Sequence, residues 1–192
     1  MSAPNHFTQA QLDWLPWLPP LPDSELTPRH YAGLVDPARA KSPYFMLLAR
    51  DPDILGARTR TDKDIFYNPN GGLPRAEREL SAAATSRFNG CIYCASVHAH
   101  FATTHSKRGE DVDRLLAEGV GVDLDPRWHA IVAASVALTQ TPPALTVEHL
   151  AALRAVGLDD AAIADVIHGA AFFNWANRLM LSLGEPAEQG RA

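Results

Sequence analysis

Leu73-Pro-Arg-Ala-Glu-Arg-Glu-Leu-Ser-Ala-Ala-Ala-Thr-Ser-Arg-Phe-Asn-Gly-Cys-Ile-Tyr-Cys-Ala-Ser-Val-His98 is the stretch whose reading decides the architecture. Pro74 suits a first helical turn. Leu73, Ala76, Leu80, Ala83, Ala84 and Phe88 then recur as an apolar stripe at helical spacing. Asn89-Gly90 ends that helix and makes a turn, so a second helix opens at Cys91. The first turn of this helix holds both cysteines of the chain, Cys91 and Cys94. At 100° per residue, Cys91, Cys94 and His98 fall within an arc of about 60° on one face.

The same punctuation continues in both directions. Helices are expected over about Tyr44–Arg50, Pro52–Tyr67, Pro74–Phe88, Cys91–Lys107, Glu110–Glu118, Pro126–Gln140, Val147–Val156 and Ala161–Leu183. Asn70-Gly71-Gly72, Gly119, Thr141-Pro142-Pro143 and Gly157 supply the breaks. No run alternates β-branched residues with period two, so strands are not expected and the class is all-α. The last segment is apolar on more than one face, which suits a central or interface helix. Residues 1–43 form a proline-rich arm with short helical pieces. Trp14, Leu15, Trp17 and Leu18 are expected to anchor it on the 44–192 domain or on a neighbouring subunit.

At 192 residues, one domain suffices. A net charge of −5 argues against a nucleic-acid surface, and no apolar run reaches the ~20 residues needed to span a bilayer. The opening Met1-Ser-Ala-Pro-Asn-His has no secretory-signal character, so a reducing cytoplasm is the expected compartment. There, a lone Cys-x-x-Cys is redox-active or metal-binding before it is a structural staple.

A helix N-terminus stabilises a thiolate, and His98 can accept its proton. A second thiol three residues away can trap a sulfenic acid as a disulfide. Those steps amount to peroxide reduction by a dithiol. Zinc is the competing reading, but its remaining ligands would have to be His98 and His105 on one continuous helix, a poor wrap for a tetrahedral ion. A thioredoxin-like reading lacks the strand that should lead into the motif. Two plain core cysteines would not explain the aligned histidine. A carboxylate could orient that histidine, and here Glu77 and Glu79 both qualify: the helical wheel puts Glu77 near the buried face and Glu79 on its flank.

Leu73-Pro-Arg-Ala-Glu-Arg-Glu-Leu with Ser86-Arg-Phe-Asn-Gly-Cys-Ile-Tyr-Cys and His98, a Glu-x11-Cys-x2-Cys-x3-His spacing, resembles the alkylhydroperoxidase D and carboxymuconolactone decarboxylase superfamily, in its uncharacterised peroxidase-related branch. Phe172-Phe-Asn-Trp-Ala-Asn-Arg-Leu is similar to the last helix of that branch. The resemblance implies an AhpD-like helical bundle with the cysteine pair at a helix N-terminus, assembled as homotrimers or higher oligomers. It implies that Cys94 is the peroxidatic thiol, Cys91 the more exposed resolving thiol, and His98 with Glu79 the proton relay. A small organic hydroperoxide would be the substrate and an external dithiol the reductant, with no cofactor and no metal. Tyr93 departs from the family, whose studied hydroperoxidases carry histidine there; a phenol is no base near neutral pH. The alternative in another class is a redox-sensing or interaction protein that toggles the same pair without turnover. His168, Asn174, Asn177 and Arg178 are expected to hold backbone groups or a subunit contact, or for one of them to line the peroxide pocket. His6, His30, His129 and His149 are expected to be ordinary surface or packing residues.

Overall fold

Residues 4–190 are described by a computed structural model; Met1–Ala3 of the expected arm, and Arg191 and Ala192, lie outside the described residues. Pro28–Leu34 forms α1, Pro43–Leu48 α2, Pro52–Tyr67 α3, Arg75–Asn89 α4, Ile92–Ser106 α5, Gly109–Glu118 α6, Pro126–Thr139 α7, Val147–Ala155 α8 and Asp160–Leu183 α9. The class is all-α, as the punctuation predicts, and the eight expected helices stand within two residues of their expected ends.

The helix starts have visible causes. Asp51, Asp125 and Asp159 cap α3, α7 and α9 by accepting from the backbone N–H groups of Ile54, of Arg127 and Trp128, and of Ala162. His30 and His149, which have no partner evident in sequence, also close helix starts: their Nδ1 atoms accept from the Thr27 and Thr146 backbone N–H groups.

Helix α4 is the centre of the molecule, with α5, α7 and α9 packed around it. Fully buried Ala83, Ala84, Ala95, Ala99 and Ala102 let α4 and α5 approach closely. Ser81 ties the other two sides together: its hydroxyl donates to the Val166 carbonyl on α9 at 3.0 Å and accepts from Ser135 of α7 at 2.9 Å. Gly169 of α9 gives that contact room, because a Cβ there would lie 3.3 Å from the Ser81 hydroxyl.

Strands do occur, contrary to the sequence reading. Leu12–Pro16 (β1) pairs antiparallel with Gly184–Glu188 (β2), Leu12 opposite Glu188 and Pro16 opposite Gly184. A ribbon this short is marginal alone. Its hold comes from Trp14, buried against Tyr44, Cys91 and Met180. Burying an indole removes about 150–250 Å² from water, worth roughly 4–6 kcal/mol before side-chain entropy is subtracted. Gly184 is obligatory at this crossing, since a Cβ would stand 2.3 Å from the Trp14 ring and 2.4 Å from the Leu15 carbonyl. Trp17 and Leu18 do not pack on the domain of their own chain and are exposed on it.

Candidate active site

Gly90 ends α4 in the left-handed region at φ 82°, where glycine carries no steric penalty. The backbone N–H groups of Gly90 and Cys91 both return to the Ser86 carbonyl, and the chain reverses at once into α5. Cys91 is the N-cap of that helix and Cys94 lies in its first turn, so both sulfurs sit at the positive end of the helix dipole. Both are free thiols.

Cys91 is not the more exposed of the two. It is 2% exposed and Cys94 is 5% exposed. The terminal ribbon lies on this side: its Trp14, Gly184 and Pro186 line a small cavity together with Cys91, Ile92 and Met180. Cys94 faces elsewhere, into a pocket of about 220 Å³ that Glu79 and His98 also line.

Glu79 and His98 are joined. The carboxylate can only accept, so Nδ1 of His98 donates to Oε2 of Glu79, at 2.6 Å. Nε2 is then the nitrogen left to exchange a proton. The second Glu79 oxygen accepts from Nε of Arg75 at 2.6 Å, and the Arg75 guanidinium lies 4.0 Å over the Tyr67 ring. Phe173 and Phe66 hold the imidazole, with ring centroids 4.0 and 5.1 Å away. Glu77, the rival carboxylate, is spoken for: Arg127 of α7 grips both its oxygens, at 2.7 and 2.8 Å.

The acidity of the thiol pair is set by groups the sequence did not single out as partners. The neighbouring Cys94 side chain holds Cys91 below the ordinary thiol value despite its burial. The Cys94 backbone N–H and the Asn177 side chain also favour the Cys91 anion. Cys94 is pushed well above the ordinary value, first by the Cys91 side chain and then by burial, with Asn177 and Arg58 opposing. The two acidities are thus split, with Cys91 the more acidic thiol of the reduced pair.

Asn177 is fully buried on α9 and fixed from two sides. Its oxygen accepts from Asn89 and its nitrogen donates to the Ser86 hydroxyl, both at 3.0 Å. Arg178 and His168, on the same helix, are exposed. Tyr93 lines the Cys94 pocket, and burial raises its phenol, so it is a protonated donor at neutral pH. His105 lies against Phe101, ring centroids 6.5 Å apart. Among the described residues no group of three His, Cys, Asp or Glu side chains is placed to hold a metal ion, and no helix is long and apolar enough to cross a membrane.

The model of the carboxymuconolactone decarboxylase family matches residues 52–136, from the start of α3 to near the end of α7, a span that contains Glu79, Cys91, Cys94 and His98. That segment is similar to the carboxymuconolactone decarboxylase family. A search of curated proteins by sequence finds no match. Solved structures share the AhpD-like fold. One is the alkylhydroperoxidase AhpD core, an uncharacterized peroxidase-related protein, of Ralstonia eutropha JMP134: 24% identity over 85% of this chain and 88% of that one, TM-score 0.72. The uncharacterized peroxidase-related protein of Silicibacter sp. TM1040 covers 97% of this chain and 95% of its own at 23% identity, TM-score 0.70. The debrominase Bmp8 is similar over 86% of this chain and 89% of its own at 21% identity, TM-score 0.68. Bmp8 has also been solved as a cysteine-to-alanine variant in complex with 2,3,4-tribromopyrrole. At these identities the likeness is one of fold.

Proposed function

We propose that the protein is a dithiol peroxidase that reduces small organic hydroperoxides and is recycled by an external dithiol. The observation that carries the reading is that Cys94 shares one pocket with a histidine oriented by a buried carboxylate, one helical turn from a second thiol. The Cys94 proton passes to Nε2 of His98, and the Cys94 thiolate attacks the distal peroxide oxygen. The O–O bond breaks, leaving Cys94 as a sulfenic acid and an alkoxide that takes the proton back from His98. The Cys91 thiolate then attacks the Cys94 sulfur; the S–O bond breaks, and the hydroxide takes up from solvent the proton that Cys91 released on ionising and leaves as water. In sum, two thiols and one hydroperoxide give a disulfide, an alcohol and water. Attack is assigned to Cys94 because it faces the pocket, although Cys91 is the more acidic thiol, which suits it to the second step. The reading includes assembly as homotrimers or higher oligomers, which sedimentation measures directly.

The test is a free-thiol titration of reduced protein before and after one equivalent of cumene hydroperoxide. Both thiols should disappear and return with a dithiol. Cys94→Ser should lose the reaction, and Cys91→Ser should stop at a sulfenic acid trapped by dimedone. Thiols that survive the peroxide would end this reading, and a single turnover without recycling would leave a redox switch.

The aromatic walls of the pocket favour one second reading, reductive dehalogenation of a small arene, as the Bmp8 likeness suggests. Two thiols and an aryl bromide would give a disulfide, the arene and hydrogen bromide. Bromide release without hydroperoxide consumption would select it.

A further inference from the structure

Arg58 projects from α3 into the pocket that holds Cys94, and its side chain is only 8% exposed. Its guanidinium lies 5.3 to 5.9 Å from the ring centroids of Tyr44, Phe45 and Phe172. Asp62, one turn on, approaches Nη1 at 3.3 Å. Yet Nε and Nη1 have no hydrogen-bond partner, and neither has the buried Tyr44 hydroxyl beside them. Buried donors are nearly always paired, and a guanidinium presents its five N–H groups in a fork matched to a carboxylate. Nη1 thus has only its ion pair with Asp62, and Nε and the Tyr44 hydroxyl lack a hydrogen-bond partner; such a cluster next to the proposed nucleophile is hard to assign to packing alone. The remaining walls are mostly apolar and aromatic, with Arg39, Arg75, Glu79 and His98 among them, and the volume of about 220 Å³ is below the usual range for drug-sized ligands.

We propose that Arg58 and Tyr44 form a carboxylate subsite, so that the substrate is a small hydroperoxide with an apolar or aromatic body and a carboxylate. The carboxylate accepts from the free guanidinium N–H groups and the Tyr44 hydroxyl, while the peroxide end meets Cys94. Asp62 competes with it for the same cation and sets its strength. The substrate class rests on the peroxidase reading above; the anion site itself does not.

The experiment compares cumene hydroperoxide with its para-carboxylate as oxidants of the reduced protein, by stopped flow. It also measures binding of the redox-inert para-carboxy cumyl alcohol by calorimetry. The carboxylate should be preferred by about tenfold or more, as a charge-assisted hydrogen bond allows. Arg58→Gln should abolish the preference and the binding of the alcohol, and Arg58→Lys should keep part of both. Asp62→Asn should strengthen both, a gain that no folding defect produces. Equal rates for the two peroxides, or equal losses with both in Arg58→Gln, would overturn the subsite and leave the peroxidase standing. Arg58-dependent binding of the alcohol with no peroxide consumption would do the reverse.

Discussion

Replacing Glu79 by glutamine tests the site against its most similar neighbour, Glu77. Both carboxylates are buried on α4 and both are held by arginine, but only Glu79 touches His98. Glutamine keeps the shape of Glu79 while turning one anionic acceptor into an amide donor aimed at a donor. Charge-assisted bonds contribute about 1.5–3 kcal/mol each, and two are affected here. Arg75 is 21% exposed and stacked on Tyr67, so it can turn to water and recover part of its loss. A net cost of about 2–4 kcal/mol is expected, lowering Tm by roughly 5–15 °C for a chain of this size. His98 would lose the partner that fixes its tautomer and orientation, so peroxide-driven thiol oxidation should slow by roughly 10²-fold, the lower end for a positioned acid–base group. Glu77→Gln removes a two-pronged grip on Arg127, whose side chain is 34% exposed, and should cost about 1–3 kcal/mol while leaving the oxidation rate unchanged. Circular dichroism melting and stopped-flow thiol oxidation read the two effects separately. Equal slowing in both variants, or an unchanged rate in Glu79→Gln, would refute the assignment of the relay to Glu79.

Thiolate absorbance of the reduced protein should show one thiol per chain ionising below the ordinary value of about 8.5 and the other well above it. Cys91 then adds stability above the unfolded thiol pKa and loses it as pH falls through its depressed folded value; Cys94 adds stability below the unfolded pKa and loses it as pH rises toward its raised one. Two thiols titrating together at the ordinary value would contradict the split. Asn177→Leu should leave Asn89 and Ser86 short of a partner, cost about 1–3 kcal/mol for each group orphaned, and move the first ionisation upward; an unmoved titration would show that Asn177 supports packing only. Gly184→Ala should force Trp14 and the ribbon away, so a bulky maleimide should label Cys91 faster than in the native protein. Unchanged labelling would mean that the ribbon is not its cover.

The helices were legible because their ends are chemical events: proline at the first turn, glycine beyond the last, and aspartate caps. The choice between Glu77 and Glu79 was not, because a helical wheel assumes one wet face. Helix α4 has scarcely any, so Glu77, Arg78, Glu79 and Leu80 are all buried in sequence and no stripe marks the functional carboxylate. The ribbon was hidden by its composition, since Leu12–Pro16 and Gly184–Glu188 each carry a proline and neither alternates β-branched residues. Arg58 gave no sign in a segment rich in charges, where an arginine reads as solvated; only the aromatic rings around it, three of them from other elements, make it buried.

The ribbon also gives the protein a history. Its two strands come from nearly opposite ends of the described chain, and contacts that span so much sequence form late, after the costly closure of a long loop. The pairing of α4 with α5 is local, made across a single turn, and belongs to the early events. A newly made chain therefore passes through an interval in which the cysteine pair already heads its helix while β2 has yet to arrive. During that interval Cys91 is an acidic thiol without its lid. Oxidants then have a direct route to it that the finished ribbon covers.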